Sequence, residues 1–223
     1  ILSGLVGSEM CIRDRYMPEI IEQTFGADIH DGHLGGCFFG GDKSTYYPKM
    51  WEYLVDTYSI NSVLDVGCGR GFASKFFLSM NCDVVSVDGS EKVKEVSLVP
   101  DNFVLNDYEK GSAITDKTFD LTWSCEFVEH VYEEFMPNFI SDFQKCKYVA
   151  MTYAYPGQGG HHHVNENTQE YWLKVMQDNG FTFLEEETNI LRSLATVEGP
   201  YTSHFGLRGL FFKNDLFLSL IHI

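Results

Sequence analysis

The sequence lacks the features that mark membrane and disulfide-rich proteins. No run approaches the roughly 18 apolar residues that a membrane-spanning helix needs. The six cysteines contain no C-x-x-C pair and no metal-finger spacing, and a chain of 223 residues does not depend on disulfide staples. We therefore expect reduced cysteines in a cytoplasmic protein without a membrane span.

Basic residues are scarce. The chain has 16 Lys and Arg against 32 Asp and Glu, which gives a formal net charge of -16. The resulting negative field repels phosphate backbones, so nucleic acid is not an expected partner. A hydrophobic fraction of 44% is ordinary for a globular chain of one domain.

We expect the two ends of the sequence to lie outside the folded domain. "GLVGSEMCIRDR" within residues 1–15 and "LSLIHI" at residues 218–223 resemble translated sequencing-library adapter, as in a metagenomic fragment. A signal peptide is the alternative, but the apolar stretch is short and the charged cluster follows it. We predict a single domain over residues 16–217, with an irregular cap over residues 16–47.

From Pro48 onward, apolar runs alternate with helical stretches, which is typical of a parallel sheet with helices on both faces. Strands are predicted at 63–66, 83–88, 102–107, 119–124, 148–153, 181–187 and 206–212. Helices are predicted from Pro48, at 71–80, 90–96, 127–145 with a break near Pro137, and 168–179. The fold class is therefore α/β.

A glycine loop follows the first strand in "SVLDVGCGRGFASKFF". Glycine allows a sharp turn and a close approach of a cofactor to the backbone. The glycines Gly67, Gly69 and Gly71 form G-x-G-x-G, whereas the dinucleotide fingerprint G-x-G-x-x-G would need a glycine where Phe72 stands. This spacing counts against a nicotinamide cofactor.

With this loop the chain resembles the class I S-adenosylmethionine-dependent methyltransferases. The resemblance implies a Rossmann-like sandwich whose seven-stranded, mostly parallel sheet has the order 3-2-1-4-5-7-6, with the last strand antiparallel. It also implies that Asp88 accepts from the ribose hydroxyls and that Asp107 meets the adenine amine of the donor. The full implied donor site is Asp65, Gly67, Cys68, Gly69, Gly71, Asp88, Gly89, Asp107, Tyr108, Ser124 and Glu126.

The segment "FDLTWSCEFVEHV" resembles the fourth-strand motif of small-molecule methyltransferases. Glu126, Glu129 and His130 would share one face if the segment were helical. The same E-x-x-E-H pattern occurs in ubiquinone-biosynthesis O-methyltransferases, where it can bind a divalent cation. A cation is possible here but not favoured, and we interpret the segment as a wall of the active site.

A histidine loop, "PGQGGHHHVNENTQEYW", follows the fifth strand and resembles uncharacterised bacterial and viral methyltransferase-like proteins. At most two of its three adjacent histidines can face a substrate, and a solvent-facing loop is the alternative. His163 has the chemistry of a general base. We predict the catalytic residues as His130, Glu129 and His163.

These patterns predict methyl transfer from S-adenosylmethionine to a small-molecule acceptor by in-line displacement, with oxygen favoured as the accepting atom. One alternative is a non-catalytic S-adenosylmethionine-binding protein that serves in interactions. The other is a nicotinamide-dependent oxidoreductase. The sequence makes no prediction of oligomeric state.

Overall fold

A seven-stranded sheet forms the centre of residues 29–217, the part of the chain that this computed structural model describes. Its strands are β1 (Ser62–Val66), β2 (Asp83–Asp88), β3 (Phe103–Leu105), β4 (Phe119–Ser124), β5 (Cys146–Met151), β6 (Phe181–Phe183) and β7 (Leu210–Asn214). The helices are α1 (Pro48–Tyr58), α2 (Phe72–Ser79), α3 (Glu91–Glu95), α4 (Met136–Phe143), α5 (Gln169–Asp178), α6 (Glu185–Leu194) and α7 (His204–Arg208). The adapter-like ends and residues 16–28 of the predicted cap lie outside the described residues.

The strand order is β3-β2-β1-β4-β5-β7-β6. Neighbouring strands from β3 to β5 are parallel, and β7 runs antiparallel to both β5 and β6. The predicted order 3-2-1-4-5-7-6 and the antiparallel last strand are confirmed. This arrangement brings the carboxyl ends of β1 to β5 to one edge, where open α/β sheets bind ligands.

The core has one layer on each face of the sheet because alternate strand residues point to opposite sides. Val63 belongs to the cluster under α1, α2, α6 and α7, whereas Leu64 belongs to the cluster under α4 and α5. Trp51 and Trp172, both almost fully buried, fill these two layers. Helices therefore cover both faces, as predicted.

The predicted strands at 102–107 and 148–153 are observed at Phe103–Leu105 and Cys146–Met151, and three further elements differ more strongly in bounds or type. The predicted strand at 181–187 ends at Phe183, because three glutamates from Glu185 form the acidic first turn of α6. The predicted strand at 206–212 begins only at Leu210, because Ser203 caps α7 by accepting from the Gly206 N–H at 2.8 Å. The predicted helix at 127–145 is α-helical only over Met136–Phe143, after two short 3₁₀ turns.

The described part of the cap, residues 29–47, contains a short strand pair and two 3₁₀ turns and is otherwise irregular. Asp31 fastens it beside β2 by accepting from the Ser90 hydroxyl at 2.6 Å and pairing with Lys92 at 3.2 Å. Arg70 fastens it beside β1, because its guanidinium lies 4.0 Å from the Phe39 ring centroid and donates to the Phe39 carbonyl. The cap therefore adjoins the ligand-binding edge of the sheet.

Two further features concern membrane-spanning helices and the state of the cysteines. Within residues 29–217, no helix has both the length and the apolar character needed to cross a membrane. The five cysteines in this range are all free thiols.

Candidate functional site

A cavity of about 640 Å³ opens at the carboxyl ends of the strands. The loop after β1, the residues that follow β2, β3 and β4, the cap and the histidine loop all contribute to its wall. Its size is that of a pocket for a cofactor or small molecule. The position and size fit the predicted site at this edge of the sheet.

Positive φ angles explain the glycines of the loop after β1. Gly67, Gly69 and Gly71 have φ of +73°, +52° and +85°, a region that favours glycine. A Cβ atom on Gly67 would lie 2.7 Å from the Cβ of Phe127, and one on Gly71 would lie 2.6 Å from Cγ2 of Val99. Gly67 and Gly69 line the cavity, whereas Gly71 caps α2 and is not among the lining residues.

Asp88 connects the end of β2 to the glycine loop. Its Oδ2 accepts from the Gly69 N–H and its Oδ1 from the Ser90 N–H, each at 3.0 Å. Burial raises the pKa of Asp88, against the effect of these backbone N–H groups. Each carboxylate oxygen has a further acceptor site. The carboxylate can therefore accept from ribose hydroxyls, and the neighbouring Gly89 also lines the cavity.

Asp107 and Tyr108 follow β3, and both line the cavity. Asp107 lies 2.9 Å from Nε2 of His33, a cap residue, and 3.2 Å from Lys110. Burial by itself would raise the pKa of Asp107. The hydrogen bonds from His33 and other donors outweigh it and hold the pKa of Asp107 below its usual value. Tyr108 is almost fully buried and donates its hydroxyl hydrogen to Asp142 at 3.0 Å.

Three other residues of the predicted S-adenosylmethionine site are buried or have their polar group already hydrogen-bonded. Asp65 is 2% exposed and accepts from the Ser74 hydroxyl, and burial raises its pKa to about 7. Cys68 lines the cavity, and its thiol donates to the Gly69 carbonyl at 3.3 Å. Ser124 is fully buried and is not among the cavity-lining residues, so its predicted role as a donor contact lacks access.

The segment after β4 is not the predicted helix with three side chains on one face. Glu126 has φ of +53°, and only Val128–His130 form a 3₁₀ turn. The left-handed residue turns the Glu126 carboxylate toward Thr152, whose hydroxyl donates to Oε1 at 2.9 Å. Glu126 and His130 line the cavity, whereas Glu129 is fully buried behind the wall. Direct contact between Glu129 and a substrate, as the predicted catalytic role requires, is therefore not available.

Glu129, His130 and His163 form one cluster. The two imidazole ring centroids are 5.0 Å apart. Neither carboxylate oxygen of Glu129 has a hydrogen-bond partner among residues 29–217. Burial, followed by the charge of Glu126, raises the pKa of Glu129 well above its usual value. Burial and the neighbouring His163 lower the pKa of His130 to about 4, which makes this histidine a weak base.

The cluster has the composition and spacing of a metal-binding group. Each of the three side chains offers one ligand atom, and these atoms lie within 4.8 Å of one another. One carboxylate and two imidazoles suit a divalent transition metal such as Zn²⁺ or Mn²⁺. The sequence pattern included Glu126 and Glu129, but the structure replaces Glu126 with His163 from the loop after β5.

The three histidines of the histidine loop do not all point the same way. His161 and His163 line the cavity, whereas His162 is not among the lining residues and packs against Tyr132 with ring centroids 5.7 Å apart. The expectation that at most two histidines face the site is confirmed. The end of the loop is tied to the turn after β4, because the Glu129 carbonyl accepts from the N–H groups of Val164 and Asn165 at 2.9 and 3.0 Å.

Sequence reasoning missed a second polar group on the wall. Asp42 of the cap, Glu126 and His204 of α7 all line the cavity, and Arg208 contacts two of them. Ser203 is a recognisable N-cap that could have located the start of α7. No local signal places His204 beside Asp42, since 162 positions separate the two residues, as 204 minus 42 gives.

Comparison with known families identifies the domain. Residues 64–146 match the family model described as "Methyltransferase domain", a range that contains the glycine loop, Asp88, Asp107 and the turn after β4. Residues 64–146 thus carry a methyltransferase domain. The predicted enzyme class, a methyltransferase dependent on S-adenosylmethionine, and the predicted cofactor are thereby confirmed, and the match gives no support to the alternative of a nicotinamide-dependent oxidoreductase.

Solved structures share the methyltransferase fold. A SAM-dependent methyltransferase from Archaeoglobus fulgidus is 18% identical with a TM-score of 0.54, covering 78% of this chain and 94% of that one. The magnesium protoporphyrin IX methyltransferase of Synechocystis, solved with bound SAH, is 15% identical with a TM-score of 0.52 and coverages of 74% and 79%. TehB from Haemophilus influenzae is 17% identical with a TM-score of 0.52, and the match covers 62% of this chain and about half, 52%, of that one. A search of curated protein sequences finds no significant match.

Proposed function

We propose that this protein transfers the methyl group of S-adenosylmethionine to an oxygen atom of a small molecule. The observation that carries the proposal is the composition of one cavity. A glycine loop and Asp88 form one side of it, and polar side chains from the cap, the turn after β4, the histidine loop and α7 form the rest. Donor and acceptor can therefore meet in a single cavity.

The donor side fits the cofactor. In our proposal Asp88 accepts from the ribose hydroxyls, Asp107 faces the adenine, and Gly67 and Gly69 allow the cofactor to approach the backbone. Glycine is needed there, because a Cβ atom on Gly67 would overlap Phe127. The bound cofactor supplies an activated methyl group on a sulfonium. The protein's contribution is alignment of the acceptor and exclusion of water.

The charge of the protein supports a small acceptor that carries no phosphate. The formal net charge is -16, and Asp42, Asp88, Asp107 and Glu126 all line the cavity. Such a wall repels anions, which argues against nucleic acid as the acceptor.

The five free cysteines of the described residues support a reducing, cytoplasmic environment.

We also propose that Glu129, His130 and His163 bind a divalent cation. The supporting observation is the carboxylate of Glu129, which is fully buried and has no hydrogen-bond partner among the described residues. A buried charge without a partner is strongly unfavourable, and a cation beside two imidazoles would provide that partner. In this role Glu129 would bind the cation without contacting the cavity, because His130 and His163 line the cavity and Glu129 does not.

Calorimetry and product analysis test the transfer reaction. We expect S-adenosylhomocysteine to bind the purified protein, and a donor labelled with ¹³C in its methyl group to yield an O-methylated small molecule in a cell extract. Mass spectrometry detects the product, and the ¹³C chemical shift distinguishes a methyl group on oxygen from one on nitrogen or carbon. Binding without any methylated product across broad extracts would instead support the non-catalytic donor-binding protein.

Metal analysis tests the cation. We expect wild-type protein titrated with Mn²⁺ or Zn²⁺ to bind one equivalent, and the Glu129→Gln variant to bind it at least tenfold more weakly. A Glu134→Gln variant is the matched control, because Glu134 is an exposed residue of the neighbouring 3₁₀ turn. Equal affinity of wild type and Glu129→Gln would refute this role of the cluster.

A further inference from the structure

His204 lies between two carboxylates on the cavity wall. Its Nδ1 is 3.4 Å from Oε2 of Glu126, and its Nε2 is 3.9 Å from Oδ2 of Asp42. The three side chains come from α7, the turn after β4 and the cap, and each is only partly exposed, at 20–26%. They share no residue with the cluster of Glu129, His130 and His163.

Arg208 determines which nitrogen of His204 carries the hydrogen. Its Nη2 lies 2.7 Å from Nδ1 of His204, and the side chain is 9% exposed. Arginine is always protonated and only donates, so Nδ1 must be an acceptor. The hydrogen of the neutral imidazole is therefore on Nε2, the nitrogen nearer Asp42.

Glu126 holds this arrangement in place. Its Oε1 accepts from the Thr152 hydroxyl at 2.9 Å and lies 3.5 Å from Nη2 of Arg208. Thr152 also accepts from the Glu126 N–H at 2.7 Å, which fixes the residue at both ends. Glu126 thus orients Arg208, and Arg208 orients the imidazole.

The gap between His204 and Asp42 suits a hydroxyl group. A separation of 3.9 Å is too long for a hydrogen bond between Nε2 and Oδ2. An oxygen atom within hydrogen-bond distance of both can accept from the Nε2–H and donate its own hydrogen to the carboxylate. A hydroxyl has both functions, whereas an ether lacks the donor and an ammonium group lacks the acceptor.

We propose that Asp42 and His204 form the binding site for the hydroxyl group that is methylated, and that Asp42 is the general base. This inference rests on the proposed O-methyl transfer. The proton of the acceptor hydroxyl passes to Asp42 as the oxygen forms a bond to the methyl carbon. The bond between that carbon and the sulfonium sulfur breaks, and its electron pair stays on the sulfur of S-adenosylhomocysteine. The protonated Asp42 then releases the proton to solvent.

The environment of Asp42 suits this role. Oδ1 accepts from the Ser44 N–H at 2.8 Å, which fixes the carboxylate. Burial raises the pKa of Asp42, and the charge of Glu126 acts in the same direction, while His204 and the Ser44 N–H oppose it. Among the described residues, His204 and Glu126 are charged or titratable neighbours of this carboxylate, and Arg208 contacts both of them. A raised pKa makes a carboxylate a stronger base at neutral pH.

Turnover of an Asp42→Asn variant tests the inference. The measured quantity is S-adenosylhomocysteine formed from S-adenosylmethionine and the small-molecule fraction of a cell extract. We expect a loss of about 100-fold or more, with unchanged affinity for S-adenosylhomocysteine. The wild-type rate should increase as pH rises and Asp42 loses its proton, and the slow residual rate of the variant should lose this dependence. His204→Gln should raise the acceptor KM more than it lowers kcat.

Controls separate this inference from the proposed function. Asp178→Asn is the matched control, because Asp178 is exposed and pairs with Lys174 on the surface of α5. Near-UV circular dichroism checks that each variant is folded, and His204→Gln serves if Asp42→Asn is not. Failure of wild type to bind S-adenosylhomocysteine would refute the proposed function itself. A product methylated on nitrogen, or no wild-type turnover with any extract, would refute the proposed function and the hydroxyl site together. Normal turnover by Asp42→Asn, with an O-methylated wild-type product, would overturn the hydroxyl site alone.

Discussion

The two sides of the cavity are built in different ways. The donor side consists mainly of one continuous strand, loop and helix start over residues 62–77 and the ends of the next two strands. The acceptor side takes its polar groups from four separate places, represented by Asp42, Glu126, His163 and His204. A site formed by residues close in sequence can be recognised from the spacing of its motif. A site formed by distant segments can be recognised only in the folded structure.

Gly67→Ala should have the largest effect on the donor side, on both stability and donor binding. Its φ of +73° disfavours a side chain, and the new Cβ would lie 2.7 Å from that of Phe127. We expect a loss of about 3 kcal/mol in the free energy of unfolding and at least a tenfold loss of donor affinity. Denaturant titration and calorimetry with S-adenosylhomocysteine measure the two effects.

Gly157→Ala is the matched control for that substitution. Gly157 has φ of +83°, but a Cβ atom there would meet nothing within 4 Å. Its cost should therefore be that of the backbone conformation alone, about 1 kcal/mol. Equal losses for the two variants would show that packing against Phe127 contributes nothing.

Asp88→Ala should weaken donor binding while leaving the acceptor side intact. Loss of a charged hydrogen-bond acceptor costs about 2 kcal/mol, or roughly 30-fold in the dissociation constant of S-adenosylhomocysteine. Mn²⁺ binding by the Glu129 cluster should not change. Asp101→Ala, at an exposed position before β3, controls for the general loss of charge. Parallel losses in both titrations would contradict the separation of the two sides.

Glu129→Gln should stabilise the metal-free protein at pH 8. The folded-state pKa of Glu129 is raised, so the wild type loses stability as pH rises from the ordinary carboxyl pKa through the raised one. Glutamine does not titrate, and we expect a gain of about 1–2 kcal/mol at pH 8 that vanishes near pH 4. Urea titrations at the two pH values measure it. A gain that is equal at both would place the effect in packing and not in the charge.

The smallest effect should come from the surface ion pair of Lys174 and Asp178. These residues are 72% and 58% exposed and stand four positions apart on α5. Lys174→Ala should cost at most about 0.5 kcal/mol of stability and leave donor and metal binding unchanged. A larger loss in denaturant titration would indicate a role that neither side of the cavity explains.

The sequence predicted the sheet well because its strands follow local patterns of burial. The strands at 83–88 and 119–124 were predicted with their observed bounds, and the glycine loop identified the family. The predictions were wrong at α6, where the acidic run after Phe183 starts a helix, and at residues 126–130. Glu126 has a left-handed φ and hydrogen-bonds to Thr152, 26 positions away, a contact that no helical spacing could reveal.

The acceptor side was only partly predictable for the same reason. His130 and His163 were proposed from their residue type and position after a strand, and the structure brings them together with Glu129. Asp42 and His204 had no distinguishing local pattern, and Ser124 matched a family motif yet lies below the wall. Residue type and register locate the edge of the sheet, but the packing of the cap and of α7 selects the side chains that reach the cavity.

The carbonyl of Glu129 accepts from the N–H groups of Val164 and Asn165 and so fixes the end of the histidine loop. Gly160 must remain glycine, because a Cβ atom there would lie 2.3 Å from Nε2 of His163, whereas Gly157 and Gly159 have open space where a side chain would stand. A library randomised over 157–159 would then vary the entrance to the cavity and leave Gly160 and His163 unchanged, which offers a practical route to new acceptors on an unchanged donor site.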